Sequence, residues 1–389
     1  MKIVDVCAFY TPHGGGVRTY AEQKLRIAPQ FGHEITIIAP GGRYEVIERG
    51  AGARIVTLPS PRFPLDRKYW YFDDEPALHA ALDAERPDFV EVSSPWRSAA
   101  MVARWRGTGL RSLVMHADPL SAYAYRWFGA VLSRSHIDRQ FDWYWKHLRL
   151  MGRQFDAIVC ANHDLAARLR SGGVGGVTVQ PLGIEADVFT PDRRDQQVRA
   201  LLLERCGLPD HASLLVGAGR LAPEKRWPMV VAAVASASRH VPVGLALFGE
   251  GRERQAVLRA IGGNPHIRLF EPERERIAFA TILASADAVI HGCEAETFCM
   301  VAAETRASGR PVIVPDSGGA ADHAVGGAGV TYRAGNRFAA AEAVLDFSAR
   351  VPNHAALGRA RPSSVVSQEQ PFSRLIDHYA QLGASAMAA

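Results

Sequence analysis

The chain has 389 residues, 48% of them hydrophobic and 22% charged, with a formal net charge of +5. This composition excludes a disordered or fibrous protein, and the length exceeds one ordinary core, which predicts two domains of roughly 150 to 200 residues. The mild positive charge suits solubility and an anionic substrate. No long Lys/Arg run, recognition helix or aromatic RNA platform accompanies it, so nucleic acid is not an expected partner.

The first strand, KIVDV (2–6), leads to Thr11-Pro12-His13-Gly14-Gly15-Gly16 and a helix expected to begin near Thr19. Its apolar run is too short for a signal-peptide core. The glycines let backbone approach a ligand at a helix N-terminus, although glycines also serve tight turns. Further apolar runs follow at HEITIIAP (33–40), PDFVEVS (87–93), RSLVMHA (111–117), FDAIVCA (155–161) and GVTVQPL (176–182), separated by amphipathic stretches. Strands alternating with helices predict an α/β domain with a parallel sheet covered on both faces.

Two stretches of this first series stand apart. In VMHADP, His116 sits at a strand end with Asp118 as a candidate partner, where a histidine either serves a site or packs as a satisfied core residue. In residues 125–156, Arg126, Arg134, Arg139, Lys146, Arg149 and Arg153 alternate with Trp127, Trp143 and Trp145. Basic residues with interfacial aromatics suit an anionic membrane surface and a lipid-linked acceptor; an ordinary helix with inward aromatics and solvated charges is the other reading.

The proline- and charge-rich stretch 181–210 reads as a connection followed by a helix, which places a boundary near residue 185. The alternation restarts with SLLVGAGR (213–220), VGLALFG (243–249), HIRLF (266–270), DAVIHG (287–292) and PVIVP (311–315). The expected division is one Rossmann-like domain over 1–185, a second over 186–370, and a final helix and tail over 371–389. Doubly wound sheets bind ligands at the carboxyl ends of their strands.

After the first strand of the second series comes Gly219-Arg220-Leu221-Ala222-Pro223-Glu224-Lys225, whose Arg220 and Lys225 can neutralise a diphosphate unless they are solvated loop residues. The same region formally matches the dinucleotide fingerprint G-x-G-x-x-A at Gly217 to Ala222. A nicotinamide oxidoreductase would need an acid about twenty residues on; the apolar helix WPMVVAAVASASRH carries none, and the first one after it, Glu250, lies beyond that distance.

The stretch HGCEAETFCMVAAETRASGRPVIVPDSGG (291–319) places Glu296 in a loop after a strand and Glu304 inside the following helix. Free N–H groups at such a helix start suit a phosphate, whereas the two carboxylates suit sugar or ribose hydroxyls. A phosphate between hydroxyls describes a nucleotide sugar. Five scattered cysteines without Cys-x-x-Cys or zinc spacing, and no apolar run of membrane-spanning length, predict a cytoplasmic protein, with peripheral attachment to the inner face of a membrane as an option.

Together these residues resemble the retaining glycosyltransferases of the GT4 family, whose fold is GT-B: two Rossmann-like domains facing across a cleft, with the C-terminal helix returning to the first domain. The family's E-x7-E signature is matched by Glu296 and Glu304, continued by ETRASGRPVIV and Gly318-Gly319; GRLAPEK, FGEGRERQ and PLGIEADVFTP are similar to further family blocks. The resemblance implies transfer of mannose or glucose from a nucleotide diphosphate sugar to a glycan or lipid-linked acceptor, with no cofactor and no metal. The absence of an Asp-x-Asp motif agrees with that.

By position, the resemblance gives Gly15 and Gly16 the approach to the donor phosphate and His116 the donor sugar. Arg220 and Lys225 would clamp the diphosphate and Glu296 the transferred sugar. The segment Thr297, Phe298, Cys299 and Met300 would receive the distal phosphate, and Glu304 the ribose. GDP-mannose leads as donor and UDP-glucose follows. Two departures stand out: Cys299 replaces a common glycine, and Thr305-Arg306 a common small pair. A non-catalytic nucleotide-sugar-binding relative is a further alternative, which the intact set of charged residues disfavours.

Overall fold

The computed structural model describes residues 1–8, 10, 16–64, 67, 69–129, 131–327, 329–350 and 369–388, with side chains of the last helix through residue 384. The chain divides into two compact units. One comprises Met1–Asp118, Phe128–Gly183 and Gln368–Ala389, and the other Pro119–Trp127 and Ile184–Ser367.

The first unit is built on eight strands: β1 (Lys2–Val6), β2 (Glu34–Gly41), β3 (Glu45–Glu48), β4 (Ala53–Pro59), β5 (Phe89–Val92), β6 (Leu110–Met115), β7 (Ala157–Cys160) and β8 (Val177–Val179). Their order is β3-β4-β2-β1-β5-β6-β7-β8. All neighbours are parallel except β3 and β4, which form an antiparallel pair that the sequence reading did not anticipate. The central strands read as continuous apolar runs because helices cover both faces. The helix after β1 spans Gly16–Ile27, so it begins earlier than the expected Thr19; Gly14 and Gly15 lie outside the described residues.

Two acids interrupt those apolar strands, Asp5 on β1 and Glu91 on β5, each fully buried. Lys24 of helix Gly16–Ile27 answers both, pairing with Asp5 and with Glu91 at 2.6 Å. The last helix, Glu369–Ala388, adds Tyr379, whose hydroxyl donates to Glu91 at 2.8 Å and whose ring stacks on Phe89 at 3.7 Å. Its Phe372, Leu375 and Ile376 complete the core around Ile3, Leu25 and Val159. The C-terminal helix thus belongs to the unit that opens the chain.

The second unit contains β9 (Ser213–Ala218), β10 (Val243–Phe248), β11 (Ile267–Phe270), β12 (Ala288–Ile290), β13 (Val312–Pro315) and β14 (Gly329–Tyr332). The order is β11-β10-β9-β12-β13-β14, all parallel. The chain moves outward from β9 in one direction and then resumes at β12 on its other side. That reversal leaves a crevice at the carboxyl ends of β9 and β12, the place where such sheets bind ligands.

Candidate active site

Both loops bordering the crevice carry charge. The turn after β9 ends in Pro223–Lys225, and the loop after β12 runs from His291 to helix Met300–Ala307. The Lys225 ammonium pairs with Glu296, and His291 Nε2 lies 2.9 Å from the same Glu296 oxygen. Burial alone would lower the Lys225 pKa, but the Glu296 carboxylate overrides it and holds the group above its usual range. Burial would raise Glu296; Lys225 and His291 together pull it well below the usual carboxylate range. A fixed cation beside a fixed anion at the end of a strand pair is therefore present at neutral pH.

The loop is locked from several sides. Arg226, in the left-handed region at φ 51°, holds Glu294 through Nε at 2.8 Å. His323 bonds the Phe298 carbonyl at 2.7 Å, and the Gly319 amide donates to the Glu296 carbonyl at 2.7 Å. The glycine pair beyond β13 has a steric cause. A Cβ on Gly318 would sit 2.3 Å from the Glu294 carbonyl oxygen, and one on Gly319 would sit 2.7 Å from the Phe298 nitrogen. Only bare backbone fits against the loop that presents Glu296.

Glu304 is separate from this cluster. It is 4% exposed, and burial raises its pKa to about 7 although Arg276 opposes the shift. Arg276 Nη1 donates to Glu304 at 3.1 Å while its Nε reaches Glu185 at 3.0 Å. Cys299 opens the helix with φ 69°, the left-handed conformation that explains a family glycine there.

The sequence-derived residues are thus distributed unevenly. Lys225 and Glu296 meet directly; Phe298, Cys299 and Met300 form the loop and helix start beside them. Thr297 follows Glu296 in the same loop. Arg220 stays outside, 77% exposed in its side chain and bonded to Glu224 at 3.1 Å. His116 belongs to the first unit, its ring edge-on to Tyr20 at 4.8 Å; burial first, then Lys24, lowers its pKa to about 4, so the imidazole is neutral at pH 7. Asp118, its expected partner, is held by Arg168 at 2.7 Å. Gly16 is the first residue of its helix.

Sequence reasoning passed over His291, Arg276 and Glu185, and it set aside every histidine but His116. The position of His291 at the end of DAVIHG carried the same strand-end signal that singled out His116. His291, Glu296 and Cys299 place ligand atoms within 4.8 Å of one another. They do not suit a metal ion: Lys225 already occupies the carboxylate, and burial keeps the Cys299 thiol protonated by raising its pKa well above the ordinary value. Among the basic-aromatic residues, Trp127 and Trp143 are exposed, whereas Trp145 is buried with its Nε1 on Asp138 at 3.2 Å. Among the described residues no helix is long and apolar enough to cross a membrane.

The chain matches the description "Glycosyltransferase Family 4" over residues 14–188 and "Glycosyl transferases group 1" over residues 212–349. It is 31% identical over 317 residues to a GDP-mannose-dependent alpha-(1-6)-phosphatidylinositol dimannoside mannosyltransferase of Mycobacterium tuberculosis, covering 81% of this chain and 79% of that protein. A GDP-mannose-dependent alpha-mannosyltransferase of Mycolicibacterium smegmatis is 27% identical over 330 residues, covering 83% and 81%. The fold is shared with a sucrose-phosphate synthase of Thermosynechococcus elongatus, at TM-score 0.76 and 17% identity over 99% of this chain and 100% of that one. It is also shared with a glycosyltransferase of Rickettsia africae, at TM-score 0.69 and 14% identity over 98% of each. The two parallel sheets are those of the GT-B fold, and the chain belongs to glycosyltransferase family 4, a glycosyltransferase that moves a hexose from a nucleotide sugar.

Proposed function

We propose that the enzyme transfers mannose from GDP-mannose to a hydroxyl of a lipid-linked glycan, with retention of configuration and without a metal ion. The observation that carries this reading is the match, over most of the chain, to several GDP-mannose-dependent mannosyltransferases, joined to a crevice that sets the Lys225 cation beside the Glu296 carboxylate. UDP-glucose is the second donor to test.

In this reading Glu296 orients the hydroxyls of the transferred sugar, held in place by His291. Lys225 moves from Glu296 toward the diphosphate, and the amides of Phe298, Cys299 and Met300 take the distal phosphate at the helix start. Glu304 accepts from the ribose. His116, neutral at pH 7, contacts the donor sugar. Arg220, exposed and paired with Glu224, turns onto the diphosphate as a second cation. Gly16, where an added Cβ would meet no atom within 4 Å, leaves room for the phosphate and acceptor.

The anomeric carbon loses its bond to the phosphate oxygen while the acceptor oxygen bonds to it on the same face. The acceptor proton goes to the departing phosphate, and Lys225 stabilises the negative charge that develops there. The acceptor side is supported by Trp127, Phe128, Val131, Leu132 and Trp143, all exposed and interspersed with Arg126, Arg134 and Lys146. Basic residues beside exposed aromatics suit the surface of an anionic membrane.

The test is a transfer assay with GDP-mannose and UDP-glucose, with and without EDTA, using mannosylated phosphoinositide in anionic vesicles as acceptor and NMR to read the new anomer. Lys225→Ala is expected to fold and to lower kcat by a factor corresponding to about 2 to 4 kcal/mol. A near-native rate in that variant, an inverted product, or turnover abolished by EDTA would remove the mechanism. Cosedimentation with phosphatidylserine vesicles but not neutral ones checks the membrane surface.

A further inference from the structure

At the amino ends of β12 and β13, opposite the crevice, the second unit holds another collection of charge. Asp287, just before β12, is fully buried and accepts from Arg199 Nη2 at 2.8 Å and from the Leu214 amide at 2.8 Å. The Arg199 guanidinium is also bonded to the carbonyls of Asp210 and Ala212, each at 2.9 Å. That pair is balanced.

Two neighbouring guanidiniums are not. Arg310, between helix Met300–Ala307 and β13, is 0% exposed, and its Nε and Nη1 are buried with no hydrogen-bond partner. Arg194, leading into helix Gln196–Arg205, has a buried Nη1 in the same condition. Arg306, 3% exposed, donates to the Arg310 carbonyl at 3.2 Å and brings further positive charge to the same turn. Among the described residues, Asp287 is the one carboxylate that acts on both Arg194 and Arg310, and Arg199 repels each of them.

Deprotonation offers no escape. Burial lowers the Arg310 pKa to about 10, which leaves it charged at neutral pH. Nor does the segment 351–368 contain any aspartate or glutamate that could serve as counter-charge. A buried cation without a partner is among the costliest arrangements in a protein, and guanidinium donors match small anions in charge and geometry.

We propose that Arg194 and Arg310 form a binding site for a small inorganic anion that completes the charge balance at the amino end of this sheet, independent of the donor crevice and of the donor's identity. The site is structural in effect, since the anion neutralises groups that anchor the turn before β13 and the connection before helix Gln196–Arg205.

The test is thermal unfolding of the full chain at constant ionic strength and pH, with gluconate replaced stepwise by chloride or by inorganic phosphate. Native protein and Lys225→Ala, which lacks the crevice cation, should both gain about 2 to 4 °C in a saturable manner. Arg310→Met should lose that response and be at least as stable as native protein in gluconate. A response to chloride would identify a halide site, and one to phosphate alone an oxyanion site. An unchanged response in Arg310→Met, or none in native protein, overturns the proposal. Should Arg310→Met fail to fold, Arg194→Gln carries the same comparison. Crystals soaked in the class of anion that gives the response, bromide for a halide site or arsenate for an oxyanion site, give an independent reading: an anomalous peak beside Arg310 Nε and Nη1 supports the site, and its absence overturns it.

Discussion

Glu304 carries two demands that oppose each other. Its burial favours the protonated form, yet ribose hydroxyls are best received by an ionised carboxylate. Its pKa is raised to about 7 from an ordinary 4.5, so the native state binds the proton more tightly than the unfolded chain does. Stability is therefore undiminished below about 4.5 and declines as pH rises through about 7. Glu304→Gln, which cannot ionise, should exceed native protein by about 1 to 3 kcal/mol at pH 8 and show no such advantage at pH 4, measured by urea unfolding at both values. The same ionisation should tighten the donor: the KM for GDP-mannose is expected to fall between pH 6 and 8 in native enzyme and to stay flat in Glu304→Gln. A KM that is flat in both would remove Glu304 from the donor site. Arg276, which holds this carboxylate, and Glu185, which holds Arg276, were hidden in the sequence because they lie 91 residues apart and meet only once the chain is folded.

At the scale of elements, the strands were legible where burial is two-sided. Each run from KIVDV to PVIVP became a strand, because parallel strands under helices are apolar on both faces. Glu45–Glu48 was not legible: its residues are largely exposed on the sheet edge, and EVIE carries no inward pattern. Gly329–Tyr332 is equally short and only half-buried, so it carries no continuous apolar run. That a helix starts near Met300 was legible, but the conformation of the residue before it was not, since a cysteine at φ 69° is visible only in three dimensions. Cys299→Gly relieves that backbone strain while giving up the side chain packed among Ala302, Val312 and Ala320. The two effects nearly offset, so unfolding free energy should change by less than about 1 kcal/mol. Cys299→Val, β-branched at the same φ, should lose about 2 kcal/mol or more. Equal effects of the two substitutions would show that the backbone conformation is not what matters there.

Across the whole molecule, the restart of the βα alternation announced two sheets, and the E-x7-E block located the crevice of the second. What sequence pattern could not express is the buried network of Asp5, Lys24, Glu91 and Tyr379, whose members come from both ends of the chain. Lys24→Met should destabilise the first unit by about 3 to 5 kcal/mol, because it leaves two buried carboxylates facing each other without a cation. Differential unfolding followed by hydrogen exchange would detect this as lost protection in β1 and β5 with β9 and β12 unaffected. Protection lost evenly across both units would refute it.

The last helix has a bearing on biosynthesis. Tyr379 and its neighbours Phe372, Leu375 and Ile376 are the final pieces of a core begun by Ile3. During translation the first unit must wait, its β1–β5 surface open, while the residues of the second emerge from the ribosome. The second unit, whose sheet is encoded without interruption between Ser213 and Tyr332, can close first. A protein whose opening strand is sealed by its closing helix thus matures from the middle outward, and for that interval its most vulnerable nascent surface is the one made earliest.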